Sequence, residues 1–146
     1  MLTTSQINNI LKDVLWFKGV YPIDRLPVTL SPEKGIIINL DESYKPGSHW
    51  VAIYLDNKRI AHYFDSFGRQ PTGPIISFIE RISEYYLFND KKYQGNLSIA
   101  CGYFCILFIL SVDNLNKFYK LFHACAHIEN EMKLFNELTS FVLSEK

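Results

Sequence analysis

The sequence predicts an α/β fold of the α+β kind, in which a mixed central β-sheet packs on one buried helix and other helices flank it. Two observations support this prediction. The run Tyr103–Leu110 has no polar side chain except a thiol, and it is too short to span a bilayer but long enough for two buried helical turns. Upstream of it lie several β-branched and aromatic runs, which are typical of strands.

The composition fits a single domain that spans residues 1–146, because a chain of this length buries enough surface to fold without disulfides. The 15 basic and 15 acidic residues give no overall field that would attract nucleic acid or an anionic membrane. Cys101, Cys105 and Cys125 are odd in number, match no zinc spacing and follow no recognisable signal peptide. We therefore expect free thiols in a reducing, intracellular setting.

The first part of the chain predicts a helix, a long loop and a strand. Thr3 and Gln6 form a capping box, and apolar residues at helical spacing follow, so the first helix should cover about Thr4–Leu15. The aromatic and turn-forming residues of Trp16–Gly35 indicate a long loop. Ile36–Leu40 is a continuous apolar run that is rich in β-branched residues, the pattern of a strand covered on both faces, and it should be the first strand of the sheet.

A polar loop over residues 41–48 leads into a predicted hairpin. The runs from His49 to Leu55 and from Arg59 to Asp65 are strand-like, and three polar residues join them. With a three-residue loop, Leu55 pairs with Arg59, and the antiparallel register sets His49 directly opposite Asp65. The Cβ atoms of such a pair lie about 5 Å apart, within reach of a hydrogen bond between the side chains. A two-residue loop would break this argument, because it shifts the register by one.

The rest of the chain predicts mostly helices. A helix should end near Leu87, and Lys91–Gln94 could return to the sheet edge as a short strand. Two amphipathic helices over about residues 114–126 and 130–143 should complete the core. The second is expected to bury Met132, Phe135, Leu138, Phe141 and Val142.

A metal site at His123, Cys125 and His127 is not predicted. Their spacing does not suit one helical face, and no fourth ligand is evident. The sequence thus predicts neither a metal nor a cofactor.

Cys101 lies at the predicted start of the buried helix, behind a turn that contains Asn96 and Ser98. At such a position the helix dipole and the unpaired backbone N–H groups favour a thiolate. Taken alone, however, a cysteine at the start of an apolar helix is more often a small buried hydrophobic residue. A catalytic role therefore needs support from other residues.

Thiol-dependent hydrolysis requires a nucleophile, a base, a group that orients the base, and donors for the oxyanion. We assign Cys101 as the nucleophile, His49 as the base and Asp65 as its orienting group. The Cys101 backbone N–H and the Gln94 side-chain amide would form the oxyanion hole. Plainer interpretations exist: a histidine at a strand end is often a surface residue, Asp65 could simply cap the turn 66–68, and Gln94 could be solvated.

Taken together, these residues resemble the adenain family, the maturation proteases of adenoviruses. The order His, acid, Gln, Cys also belongs to the related SUMO-specific proteases and is the reverse of papain's order, and the resemblance covers roughly residues 16–110. The motifs that carry it are His49-Trp50, Tyr63-Phe64-Asp65-Ser66-Phe67-Gly68, Gln94-Gly95 and Ala100-Cys101-Gly102-Tyr103-Phe104-Cys105, with further similarity in Phe17-Lys18-Gly19-Val20-Tyr21 and Arg25-Leu26-Pro27.

The resemblance implies a cysteine endopeptidase that cuts viral capsid and core precursors during virion maturation, after small residues such as Gly and through a narrow groove. It implies the same roles for the four catalytic candidates and adds Trp50 and Gly102 as substrate-binding residues. The enzyme would act in the host cytoplasm or a viral factory and be packaged in the virion. We expect a monomer that is neither secreted nor bound to membranes.

The chain departs from the adenain pattern in several ways. It has Asp65 where adenain has Glu, it is much shorter after the central helix, and it lacks a cysteine near Ser83, the region through which adenain is linked to its activating peptide. With a balanced charge, these differences argue against a viral peptide or DNA as an activator.

Two other functions remain open. An isopeptidase that acts on host ubiquitin-like conjugates would share every catalytic residue. A catalytically silent binding module would not need the intact set of candidates.

Overall fold

The computed structural model describes residues 1–41, 49–96 and 98–144. Within these residues the fold is a mixed α/β arrangement of five strands and five helices. The elements in chain order are α1 (Thr4–Leu11), β1 (Phe17–Pro22), β2 (Lys34–Asn39), β3 (Trp50–Leu55), β4 (Ala61–Phe64), α2 (Pro74–Ile82), β5 (Tyr86–Phe88), α3 (Cys101–Leu110), α4 (Leu115–Leu121) and α5 (His127–Ser144). The predicted fold class is confirmed.

The strands form one sheet in the order β1-β2-β3-β4-β5. The central strand β3 is antiparallel to both β2 and β4, whereas β1 pairs parallel with β2 and β5 pairs parallel with β4. Ile37 of β2 belongs to the core on the α3 face of the sheet, while Ile36 and Ile38 belong to the core on the α2 face. The prediction that this strand is covered on both faces is therefore confirmed.

Helix α3 is buried on nearly every side, as its uniform apolarity predicts, and of its first nine residues only Tyr103 is partly exposed. Its aromatic side chains pack into a cluster with neighbouring elements; Phe64 stacks on Phe108 with ring centroids 5.2 Å apart, and Phe118 meets Phe108 edge to face. Full burial of each such ring stabilises the fold by about 1.5–3 kcal/mol. This core fixes the position of the start of α3.

The N-terminal region differs from the prediction in two places. The capping box between Thr3 and Gln6 is present, but α1 ends at Leu11 instead of Leu15. Within the predicted loop Trp16–Gly35, residues Phe17–Pro22 form strand β1. The strand was missed because Gly19, at φ +112°, falls where the register shifts, and this irregularity interrupts the alternating pattern.

The predicted hairpin is confirmed, but its register is wrong. Leu55 pairs with Ala61 instead of Arg59. The connection is longer because the Asp56 carboxylate accepts hydrogen bonds from the N–H groups of Lys58 and Ile60, which organises a wider loop. The register differs by two residues, so every side chain keeps its face of the sheet.

The predicted helix ending near Leu87 is too long, and the predicted strand at Lys91–Gln94 is not found. Helix α2 ends at Ile82, because Ser83 adopts an extended backbone and donates its hydroxyl to the Ile79 carbonyl. The edge strand lies earlier, at β5.

The predicted terminal helices are present as α4 and α5, with different bounds. The predicted buried face of α5 is correct for Leu138 and Phe141, which pack against the core, but wrong for Met132, Phe135 and Val142, which are 63%, 43% and 58% exposed. Leu134 is buried instead. Asn130 turns the helix this way, because its buried amide is bonded to backbone groups beneath α5. Residues 42–48, most of the predicted polar loop, lie outside the described residues. No helix in the described part of the chain is long and apolar enough to cross a membrane.

Candidate active site

Cys101 is the first residue of α3 and is 2% exposed. The residue before it, Ala100, donates its N–H to the Ser98 hydroxyl at 3.1 Å, and its carbonyl accepts the Phe104 N–H. Cys101 therefore lies in the first turn, where backbone N–H groups have no partner within the helix. This is the position that the sequence predicts for the nucleophile.

His49 immediately precedes β3 and is buried, at 7% exposure. Its Nε2 lies 2.7 Å from the Asp65 Oδ1, and the Cys101 thiol is close enough to the same ring to raise the pKa of His49. Since Nε2 faces the carboxylate, Nδ1 is the nitrogen left for the thiol. The structure thus brings the three predicted residues together.

Asp65 is held from several sides just beyond the end of β4. Asn89 accepts the Asp65 N–H at 3.0 Å and donates its amide to the Asp65 carbonyl at 2.6 Å. The carboxylate also accepts the Phe67 N–H at 2.9 Å and lies 3.3 Å from the Arg69 Nε. The turn-capping interpretation of Asp65 is therefore confirmed, and its catalytic role, which this geometry allows, remains a prediction.

The electrostatics of this pair favour a charged imidazole. Burial by itself lowers the pKa of His49, but its hydrogen bonds to Asp65 and Cys101, together with their charges, outweigh burial and raise the pKa to about 9. Burial raises the pKa of Asp65, yet the hydrogen bond and charge of His49 hold that pKa below its ordinary value. A protonated His49 next to Cys101 is a proton donor held in place before any reaction.

The other two cysteines have different surroundings. Cys105 is fully buried one turn further along α3, and burial raises the pKa of its thiol well above the ordinary value. Cys125 is exposed in the segment between α4 and α5. Of the three cysteines, Cys101 is the one whose thiol contributes to the raised pKa of His49.

Two supporting residues were missed from the sequence. The Phe67 ring stacks on His49 with centroids 4.7 Å apart, and Arg69 and Lys92 lie over Phe67 at 5.0 and 5.5 Å. Asn89, which fixes the backbone of Asp65, is the other. Phe67 lies inside the motif that carries the resemblance, so that motif could have pointed to it. Nothing in the sequence around Asn89, which follows a short strand, indicated its role.

Gln94 is buried, and both ends of its side-chain amide are engaged. Its Oε1 accepts the Ser66 hydroxyl, and its Nε2 donates to the Ser98 carbonyl at 2.8 Å. An amide nitrogen carries two hydrogens, so one N–H remains for an oxyanion. The predicted role is compatible with this geometry and remains a prediction.

Trp50 and Gly102 lie against each other beside Cys101. A Cβ at Gly102 would come within 3.3 Å of both Trp50 Cδ1 and Leu2 Cδ1, so any larger residue would be crowded. Trp50 is 1% exposed, and its Nε1 has no hydrogen-bond partner among the described residues. These contacts place both residues at the site, while their binding of substrate remains a prediction.

A second His–Asp pair lies at the other end of the same strands. The His62 Nε2 is 2.9 Å from the Asp56 Oδ2, in the loop that joins β3 to β4. Both side chains are more exposed than those of His49 and Asp65. This pair is a natural control for the first.

A cysteine at the start of a buried helix, with a histidine that contacts both it and a buried carboxylate, defines the active-site arrangement of a cysteine protease. No protein-family model matches the chain. In sequence the chain is 41% identical over 56 residues to a cysteine protease of African swine fever virus. The match covers 36% of this chain and 20% of the relative. It is 35% identical over 120 residues to a protein of Acanthamoeba polyphaga mimivirus that is named as a putative thiol protease. This match covers 64% of this chain and 39% of the relative.

The solved structures agree with the sequence relatives. One crystal structure of the African swine fever virus protease matches with a TM-score of 0.61 at 16% identity, over 90% of this chain and 64% of that one. A second matches with a TM-score of 0.52 at 25% identity, over 69% and 42% of the two chains. That protease is a member of the superfamily that includes adenain and the SUMO-specific proteases, so the predicted resemblance is confirmed.

The names of the relatives, cysteine protease and thiol protease, agree with the predicted enzyme class. The chain spans 20% and 39% of the lengths of the two curated relatives described above.

Proposed function

We propose that this chain is a viral cysteine endopeptidase that uses Cys101, His49 and Asp65. The observation that carries the proposal is the contact of one buried imidazole with both the Asp65 carboxylate and the Cys101 thiol. The names of the viral relatives support the same class.

The mechanism follows from the arrangement. The Cys101 thiol first gives its proton to His49, and this thiolate–imidazolium pair is the starting state. The thiolate attacks the substrate carbonyl carbon and forms a C–S bond, while the C=O π bond opens and the oxygen takes up negative charge. The Cys101 N–H and the free N–H of Gln94 would stabilise that charge. His49 then gives its proton to the departing amine as the peptide C–N bond breaks, leaving a thioester.

Deacylation uses the same groups in the opposite direction. His49, now neutral, takes a proton from water, and the resulting hydroxide attacks the thioester. The C–S bond breaks, the free acid leaves, and the proton on His49 restores the starting pair. Asp65 keeps the ring oriented and stabilises its charge throughout.

For the substrate, we propose capsid or core precursor proteins that are cleaved at Gly-containing sites during maturation. The adenain resemblance supports small residues at the cleavage site. We propose further that the enzyme is monomeric, works in the host cytoplasm or viral factory and in the virion, and needs neither peptide nor DNA. The equal numbers of acidic and basic residues support the last point.

The test is to incubate the chain with a co-encoded capsid precursor and to identify new termini by mass spectrometry, with the Cys101→Ala variant as the control. New termini after Gly, absent with the variant, support the proposal. An intact precursor under conditions in which a Gly-containing peptide is cleaved would reject the substrate while leaving the enzyme class standing.

An isopeptidase is the second candidate. Several relatives from African swine fever virus carry the name SUMO-1 cysteine protease, and one is 39% identical to this chain over 56 residues. The same experiment with SUMO and ubiquitin conjugates distinguishes the two. Release of the modifier faster than cleavage of the precursor would favour the isopeptidase.

A further inference from the structure

The residues that lead into α3 carry both predicted oxyanion donors. We call residues 93–96 and 98–100 the oxyanion segment, because Gln94 lies within it and the Cys101 N–H follows it directly. Tyr93 and Gln94 are tied to the sheet side of the site, since both N–H groups donate to the Ser66 carbonyl, at 2.8 and 3.1 Å. The opposite side of the segment faces α5.

Ser98 is the residue at which the two donors are joined. Its carbonyl accepts the Gln94 Nε2 at 2.8 Å, and its hydroxyl oxygen accepts the Ala100 N–H at 3.1 Å. A displacement of Ser98 would therefore move the Gln94 amide and the start of α3 together.

Glu131 of α5 holds Ser98 in place. The Ser98 hydroxyl donates to the Glu131 Oε1, and this bond leaves the hydroxyl oxygen free to accept from Ala100. Because a serine hydroxyl has one hydrogen, its donation to Glu131 fixes the direction of its lone pairs. A carboxylate 33 residues away in sequence thus determines the orientation of Ser98.

Neighbouring residues of α5 brace the same segment. The fully buried Asn130 donates its amide to the Tyr93 carbonyl at 3.1 Å and to the His123 carbonyl at 2.7 Å. The His127 ring packs on Gly95, where an added Cβ would lie 3.1 Å from the His127 Cδ2. The first turns of α5 therefore contact the oxyanion segment at Tyr93, Gly95 and Ser98.

We propose that Glu131 is a positioning residue that acts through Ser98 to orient the Gln94 amide and the Cys101 N–H toward the developing oxyanion. The proposal rests on the proposed function, since it requires an oxyanion beside Gln94. Oxyanion donors act through fixed geometry, and a displacement of about 1 Å in an active site can cost about a hundredfold in rate. Loss of the Glu131 acceptor should lower turnover without abolishing it.

The experiment measures kcat and KM on a chromogenic peptide anilide with Gly before the cleaved bond. We expect Glu131→Ala to lower kcat by roughly tenfold to a hundredfold with little change in KM. Glu131→Gln keeps an oxygen acceptor for Ser98 and should restore most of kcat. Glu129→Ala removes the same charge from an exposed position on α5 and should match the wild type.

Alkylation by iodoacetamide separates positioning from general damage to the site. The thiol displaces iodide in that reaction and no oxyanion forms, so the Cys101 alkylation rate should stay unchanged in Glu131→Ala. A kcat loss matched by an equal loss of alkylation rate, or equal kcat losses in Glu131→Gln and Glu131→Ala, would overturn the proposal.

A double-mutant cycle with Gln94→Ala completes the test. If Glu131 acts mainly by orienting Gln94, adding Glu131→Ala to Gln94→Ala should cost much less than it does in the wild type. Additive losses would overturn the action of Glu131 through Gln94. A wild-type kcat in Glu131→Ala, with a large loss in Gln94→Ala, rejects the positioning role alone; a wild-type kcat in Gln94→Ala rejects the oxyanion part of the proposed function and the positioning role with it.

Discussion

The His49 Nε2 and the Asp65 Oδ1 are joined by a hydrogen bond of 2.7 Å, although the two residues are not partners in the strand register. Ala52 pairs with Phe64, so the ladder extended to His49 would place it opposite Phe67, two residues beyond Asp65. Residues two apart in a strand lie on the same face, and the turn after β4 brings the Asp65 carboxylate within reach. The contact depends on the face of the sheet more than on the register.

The nucleophile can be assigned by substitution. Cys101→Ala should abolish cleavage of a Gly-containing peptide, because the proposed thioester can form only there. Cys105→Ala and Cys125→Ala should keep most of the activity, since Cys105 is buried with a raised pKa and Cys125 is exposed away from His49. Peptidase assays on the three purified variants check this, and loss of activity in Cys105→Ala with an intact fold would contradict it.

The role of Asp65 predicts a folded variant with low activity. In Asp65→Asn, the amide oxygen can still accept the Phe67 N–H, but the charge that stabilises a protonated His49 is lost. We expect kcat/KM to fall by roughly tenfold to ten-thousandfold, with circular dichroism unchanged. Full turnover in this variant would mean that another residue orients His49.

The pKa of His49 predicts the alkaline side of the rate profile. The imidazole must hold its proton to release the amine, and its pKa is raised to about 9, so kcat/KM should fall as the pH rises through about 9. In Asp65→Asn this fall should move to lower pH, because the interactions that raise the pKa are weakened. His62→Ala, which breaks the exposed pair, should leave the profile unchanged. If kcat/KM of the wild type instead fell as the pH rose through about 6.5, the pKa of His49 would not be raised, and this prediction would be wrong.

Gln94→Ala tests a role confined to the transition state. Loss of one oxyanion donor should lower the acylation rate by roughly a hundredfold or more with little change in KM. Single-turnover kinetics measure acylation directly. An increase in KM at constant kcat would make Gln94 a substrate-binding residue instead.

Asn89 predicts a stability effect that the sequence did not suggest. Asn89→Ala leaves the backbone N–H and carbonyl of buried Asp65 without their partners, which should destabilise the fold by about 1–3 kcal/mol. Urea unfolding measures this change, with exposed Asn8→Ala as the control. Equal unfolding free energies for the two variants would show that Asn89 is dispensable.

The sequence alone predicted the structure correctly where a single residue pattern determines the element. The uniform apolarity of α3 and the β-branched run of β2 predicted a buried helix against a sheet covered on both faces, and the order of the motifs predicted which residues meet. It was insufficient where single polar contacts, which leave no periodic pattern in the sequence, decide the structure. Asp56 widens the hairpin loop, and Asn130 rotates α5 so that Leu134 is buried and Met132 is not.

Trapping the thioester intermediate tests the role of Cys101 and His49 most directly. The chain is mixed with a slowly deacylating p-nitrophenyl ester of a Gly-ended peptide, quenched in acid and digested, and the thioester is located by mass spectrometry. We expect one acyl group per chain, on Cys101. The yield of acylated Cys101 should be much lower in His49→Ala but not in His62→Ala. Acylation at Cys105 or Cys125, or an equal yield at Cys101 without His49, would contradict it.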